Sequence, residues 1–297
     1  MGRLLWQERQ DIGPAPRATA LTFISSKART LLFGGVSYVA PWYFGDTWEW
    51  DGEGWVQVAD TGPDARASVK LSYDSDRNVT VLFGGYNTDG HQFDTWEWDG
   101  TGWTQVEDKG PQTQGWLSTM TYDAARKATV LEAGSVATKG VGTWGWDGTA
   151  WTQLADSGPS QRGEAGLAFD PIRERAVLFG GAPGGGPTRV QETWEWDGAF
   201  WTQVEDIGPS ARQAHGMTWS GTAVLLFGGL AGKDQAKPAG DTWSWDGEHW
   251  QQRQDIGPSP RCRHGMAWDA ARNRTVLFGG EINSNSSGDT WEAFEEP

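Results

Sequence analysis

Apolar positions recur along the chain in short alternating or continuous runs, and nowhere with the three-to-four-residue spacing of an amphipathic helix. One stretch shows the pattern. Leu71-Ser72-Tyr73 alternates and ends in an aromatic, and the polar turn Asp74-Ser75-Asp76-Arg77 follows. Val81-Leu82-Phe83 is a continuous apolar run closed by Gly84-Gly85, where two glycines permit positive φ and close approach of a neighbouring backbone. Asp94-Thr95-Trp96-Glu97-Trp98 alternates with period two, which places both tryptophans on one sheet face. Asp99-Gly100 then turns tightly into Trp103-Thr104-Gln105-Val106. The stretch predicts four short antiparallel strands.

The same four-strand pattern recurs six times. An Asp two residues before Gly-Pro stands at Asp11, Asp60, Asp108, Asp156, Asp206 and Asp255, at intervals of 49, 48, 48, 50 and 49 residues. A fourth-strand tryptophan keeps step at Trp6, Trp55, Trp103, Trp151, Trp201 and Trp250, and a Thr-Trp element at Trp48, Trp96, Trp144, Trp194, Trp243 and Trp291. Leu-Phe-Gly-Gly, or a close variant, is present at Phe33, Phe83, Phe179, Phe227 and Phe278, while Glu132-Ala133-Gly134 replaces it in the third unit. The last unit stops at Trp291-Glu292-Ala293-Phe294 without a fourth strand, and Leu5 to Pro14 reads as a fourth strand without a unit. A solenoid would carry capping repeats, whereas a closed ring lets the two fragments pair.

These residues resemble the kelch repeat: an Arg opening the first strand, Gly-Gly closing the second and a Trp in the fourth. The expectation is therefore an all-β, six-bladed kelch-type β-propeller of four antiparallel strands per blade, its last blade closed by the N-terminal strand. It forms a single domain over 1–297, with the outer strand of blade 6 at 4–10, blades 1 to 5 at about 15–254, and the three inner strands of blade 6 at about 259–294. The resemblance implies ligand binding at a channel mouth formed by the segments running from Gly-Pro to the Arg and by the loops after Gly-Gly, namely 36–45, 86–93, 135–142, 182–191, 230–240 and 281–288. It spans interaction modules, galactose oxidase-like enzymes, a sialate mutarotase and structural proteins, so the fold does not choose a function. The galactose oxidase copper site requires two Tyr, one cross-linked to Cys, and two His. Here Cys262 is the sole cysteine and all five tyrosines lie in blades 1 to 3, so no motif supports that site.

Charge narrows the partners. With 24 Lys plus Arg against 39 Asp plus Glu, the formal charge is −15, which disfavours nucleic acid and anionic membrane. No apolar run approaches a membrane span, and Met1-Gly2-Arg3-Leu4-Leu5 is too short for a signal peptide, so a cytoplasmic monomer without metal or cofactor is expected.

Candidate sites come from comparing the six units with one another. Arg17, Arg66, Arg162, Arg212 and Arg261 form a ring near one mouth. One reading is an anion-binding funnel; the preferred one pairs each with Asp46, Asp94, Glu192, Asp241 or Asp289. Blade 3 lacks both partners, having Gln114 near one position and Gly142 at the other. Aromatics that fit no repeat slot gather at the same mouth in blades 1 to 3: Tyr38, Trp42, Tyr43, Phe44, Tyr86, Phe93 and Trp116. They suggest a stacking platform, the alternative being a private mini-core under the blade 1 loop. His215 and His264 occupy equivalent first-strand positions, and His91 lies in the blade 2 loop. A structural role is preferred for this set over a metal or acid–base site. Cys262 reads as an inert thiol, while Glu164 and Glu281 are off-pattern acids at this mouth.

The function expected from these residues is recognition of a saccharide-like or peptide ligand by Trp42, Tyr43, Tyr86, His91, Trp116, Arg212, His215, Arg261 and His264. One alternative is an isomerase- or mutarotase-type enzyme using His215, His264 and Glu164 in the same pocket; another is a protein-interaction scaffold. A deep mouth with convergent titratable groups would favour the enzyme, and a broad aromatic shelf the recognition module.

Overall fold

The computed structural model describes residues 2–10, 12–134, 141–205, 207–233, 236–254 and 256–296. Asp11, Asp206 and Asp255 of the recurring Asp-x-Gly-Pro element lie outside the described residues, as do most of the segment 135–142 and part of 230–240. Each unit forms one four-stranded antiparallel sheet. In blade 2 the order from the axis outward is Lys70–Asp74, Val79–Asn87, Gly90–Trp98 and Trp103–Glu107. Leu71 faces Leu82 and Leu82 faces Trp96, so the alternation of the sequence becomes an apolar face across the inner three strands, and Trp96 faces exposed Gln105 on the outermost.

Six such sheets are present among the described residues. In the sixth, Leu4–Gln10 is the outermost strand and pairs with Thr290–Glu295, with Trp6 opposite Ala293. Successive inner strands pack side by side, and Gly265–Asp269 lies against Ala18–Ile24, which closes the ring. The chain is a six-bladed propeller sealed by its own first strand. Segments 36–45 and 86–93, expected as loops, are partly strand. The ladder runs on past a bulge to pair Val36 with Tyr43 and Tyr86 with His91. Among the described residues no helix is long and apolar enough to cross a membrane.

Neighbouring blades are joined by one device used six times. The indole of each fourth-strand tryptophan donates to the third-strand threonine of the preceding blade: Trp55 to Thr290, Trp103 to Thr47, Trp151 to Thr95, Trp201 to Thr143, Trp250 to Thr193 and Trp6 to Thr242, all at 2.7–2.9 Å. Five of these rings also meet the Phe of the preceding blade's second strand, with centroids 5.0–5.3 Å apart, as Phe33 with Trp103. The glycines that follow that Phe have a matching role. Gly35, Gly181, Gly229 and Gly280 donate their N–H to the carbonyl of the next blade's Arg66, Arg212, Arg261 and Arg17 at 2.8–2.9 Å. A Cβ on Gly279 would lie 2.4 Å from the Arg17 carbonyl oxygen. The Gly-Gly pair is thus an inter-blade seam.

Blade 3 breaks this device once. Glu132 pairs with Thr119 and Thr143 in the register where Phe83 pairs with Lys70 and Thr95, so a carboxyl stands where the phenyl ring belongs. Both carboxyl oxygens are buried and neither has a hydrogen-bond partner among the described residues. Burial pushes this carboxyl up to about 8, against a partial pull downward from Arg162.

Two predictions follow from this packing. Trp6→Ala should lower stability by about 3 kcal/mol and Thr242→Ala by about 1–2 kcal/mol. The double variant should lose less than their sum, because one bond is removed twice; urea midpoints read all three. Glu132 ionises near 4.5 when unfolded and near 8 when folded. Between those values the unfolded chain holds fewer protons, so its stabilising neutral form is present below 4.5 and the contribution is lost as pH rises to 8. The slope is about 1.4 kcal/mol per pH unit. The stability difference between the natural protein and Glu132→Gln, read from urea midpoints at pH 5 and 8, should therefore shift in favour of the variant at pH 8.

Candidate functional site

The axial channel holds two cavities that meet at an apolar belt of Leu21, Leu71, Met120, Leu167, Met217 and Met266, one residue from each inner strand. The smaller, about 370 Å3, is walled by the aromatics that end those strands: Phe23, Tyr73, Tyr122, Phe169, Trp219 and Trp268. The larger, about 630 Å3, opens on the Gly-Gly side and carries the polar and charged groups.

The ring arginines do not face either cavity. All five are at most 1% exposed. Arg261 spans the Ser259 carbonyl at 3.1 Å, the Gly279 carbonyl at 2.9 Å and both Asp289 oxygens at 2.6 and 2.7 Å. Arg212 does the same with Ser210, Gly228 and Asp241. Each acid also accepts the third-strand indole, as Asp289 does from Trp291 at 2.6 Å, so these charges are compensated inside their own blade. In blade 3 the Thr113 hydroxyl donates to the Gly134 carbonyl at 2.8 Å.

The rim of the larger cavity is built two residues further on. Ser68, Glu164, Ala214 and Arg263 all have φ between 53° and 58°, a conformation that costs a side-chain-bearing residue about 1 kcal/mol and needs outside support. Backbone bonds across the blades supply it. Glu164 N donates to the Trp116 carbonyl, Ala214 N to that of Glu164, and Arg263 N to that of Ala214, each at 2.8 Å. This belt aims Glu164 and Arg263 into the opening. Arg263 Nε donates to Glu164 Oε1 at 2.5 Å, a second guanidinium nitrogen donates to Glu281 Oε2 at 2.9 Å, and Gln213 Nε2 donates to Glu164 Oε2 at 2.5 Å. Burial opposes the charge on Arg263, but the hydrogen bond and charge of Glu164, then the charge of Glu281, outweigh it and hold the guanidinium cationic. Half-buried Tyr86 and Trp116 flank this cluster, with Tyr38 at its edge. The Trp116 ring lies against Gly163 and Gly185, where any Cβ would meet it within 3.1 Å.

His215 and His264 line the wall but pack edge-on against Phe179 and Phe227 at 5.6 and 5.4 Å. Burial above all, and then the adjacent Arg212 or Arg261, pushes both imidazoles down, His264 to about 3, so both are neutral at pH 7. Their Nε2 atoms sit over Gly166 and Gly216 of the preceding blade, within 2.7 Å of where a Cβ would stand. The glycines make room for the histidines. Lys70 occupies the corresponding position in blade 2, and there the next blade offers Ser118 in place of a histidine.

Of the residues expected at the site, Tyr86, Trp116, Glu164, His215 and His264 line the cavity, while Trp42, Tyr43, His91, Arg212 and Arg261 do not. Trp42 is 60% exposed away from the cavity. Tyr43 packs edge-on against Tyr86 at 5.9 Å, and exposed His91 meets the same ring at 6.1 Å. Phe44 lies under the Arg17 guanidinium at 3.5 Å. Sequence reasoning missed Lys70, Gln213 and Arg263 as cavity residues. Their signal was present, since all three fall within four residues after a repeat arginine where the units disagree. Among the described residues no group of three or more His, Cys, Asp or Glu side chains is placed to hold a metal ion. No protein-family model matches the chain, and no curated protein matches it.

Cys262 is 3% exposed, and burial followed by the nearby Glu281 charge pushes its thiol up to about 12. Iodoacetamide at pH 8 should leave it unmodified in the native protein and alkylate it in urea, as read by intact mass. Rapid native alkylation would require an accessible thiolate.

Proposed function

We propose that the larger axial cavity is a recognition site for a small polyhydroxylated, saccharide-like molecule, on a propeller whose repeats are of the kelch type. The observation that carries this reading is the ion-paired cluster of Arg263, Glu164, Glu281 and Gln213 beside the half-buried rings of Trp116 and Tyr86. Two carboxylates, a guanidinium and an amide present closely spaced donors and acceptors with a net negative charge, which suits neutral hydroxyls better than an anion. The indole and phenol supply flat faces for the C–H side of a sugar ring. The cavity volume, about 630 Å3, accommodates a ligand of mono- to disaccharide size.

A second reading, an isomerase- or mutarotase-type enzyme, draws support from the titratable groups that converge there. Glu164 and Lys70 are its acid–base candidates, in place of the two neutral, ring-packed histidines.

Calorimetry across a panel of monosaccharides, disaccharides and acidic peptides tests the recognition reading. Trp116→Ala should weaken sugar binding by about tenfold or more. Trp42→Ala, which lies off the cavity, should leave the affinity unchanged. Binding lost in Trp42→Ala and kept in Trp116→Ala would move the site to the exposed loop; binding of acidic peptides alone would overturn the saccharide reading.

A further inference from the structure

One cavity amine stands apart from the ion-paired cluster. Lys70 begins the inner strand of blade 2, and among the described residues it makes neither a hydrogen bond nor an ion pair. Lys27 and Lys127, by contrast, pair with Glu49 and Asp76. Three equivalent positions in the ring are glycine, at Gly166, Gly216 and Gly265, so nothing in the repeat requires a long side chain here. Lys70 stands at the strand position where Gly166 and Gly216 each lie under a histidine of the following blade. Lys70 lines the cavity but is largely surrounded by protein, and that burial lowers the ammonium to about 8, with Glu164 opposing in part. The other charged or titratable groups lining the cavity are Arg263, Glu281, His215, His264, Tyr38 and Tyr86. A fraction of Lys70 is therefore a neutral amine near pH 8, in a pocket that can hold a ligand over it.

We propose that Lys70 is a carbonyl-capturing amine that condenses with the open-chain aldehyde of a reducing sugar in the axial cavity to form a reversible imine. The proposal takes its ligand class from the saccharide reading above. The nitrogen lone pair adds to the carbonyl carbon, a C–N bond forms, and the carbonyl π pair moves to oxygen, which takes a proton as nitrogen loses one. The resulting carbinolamine expels its hydroxyl with a proton as water while the C=N bond forms. Lys70 is the nucleophile, and protons are exchanged with the carboxylates and water of the cavity.

The experiment is reductive trapping. The intact protein is treated with glyceraldehyde and cyanoborohydride at pH 8, and the modified lysines are mapped by peptide mass spectrometry. Hydride transfer to the imine carbon converts the link to a stable secondary amine. Lys70 should be modified at least tenfold faster than the exposed Lys27, Lys109, Lys127, Lys233 and Lys237. Lys70→Gly restores the residue found in blades 4 to 6, should keep the melting temperature within a few degrees, and should lose the fast label. Labelling that follows exposure and spares Lys70 overturns the proposal. Sorbitol, which has no carbonyl, separates the two readings. Protection of Lys70 by sorbitol supports the cavity as a sugar site, whereas fast labelling without protection supports the amine chemistry and removes the sugar.

Discussion

Ring closure is the constraint on which the rest of this molecule depends. A blade alone exposes one apolar face to each side, and its outermost strand leaves an open edge. Here each blade is joined to the preceding one by an indole-to-threonine hydrogen bond with the aromatic packing around it. The sixth such junction exists only because Trp6 arrives from the other end of the chain to reach Thr242. Its ring also meets Phe227 at 5.1 Å, so the closing strand completes a junction as well as a sheet. The N-terminal strand is therefore part of the sixth blade in every physical sense.

Within that ring, charge is handled in two layers. The ring arginines are buried and satisfied inside their own blades, fixing the segment that leads into each inner strand. A second set lies further out: Arg77, Arg173 and Arg272 pair with Glu97, Glu195 and Glu292 in blades 2, 4 and 6. These acids in turn accept the indoles of Trp146, Trp245 and Trp50 from the next blade. Blades 3 and 5 carry Gly145 and Ser244 where these acids stand, so the six repeats are similar but not equivalent. Blade 3 departs furthest, losing the ring arginine, its acid, this outer acid and the seam phenylalanine. Trp116 enters the cavity wall in the same blade. Cavity-lining groups such as Trp116, Glu164 and Arg263 appear at positions where the units differ, because the shared positions are already committed to packing.

Strand order, blade number and closure were legible in the sequence, because each rests on a local pattern repeated at a fixed interval. Leu71 and Tyr73, Val81 to Phe83, and Trp96 with Trp98 take the faces that period-two alternation predicts. Paired arginines were legible for a different reason, since the loss of both members together in blade 3 identified partners without coordinates. The aromatic platform was only half legible. Tyr86 and Trp116 reach the cavity, but the ladder continues past the glycines and carries Tyr43 and His91 onto Tyr86, leaving Trp42 outside.

The sequence by itself determined what each residue does within its own blade, since strand pairing and hairpin turns depend on neighbours a few positions away. Only the tertiary structure decided what faces the axis. Lys70, Glu164, Gln213, Arg263 and Glu281 come from four different blades, and Glu164 and Arg263 are 99 residues apart when they form their 2.5 Å bond. Their meeting depends on the curvature of the closed ring and on a left-handed backbone turn that inter-blade hydrogen bonds hold in place. Both arise from the packing of blade against blade, which no single repeat encodes.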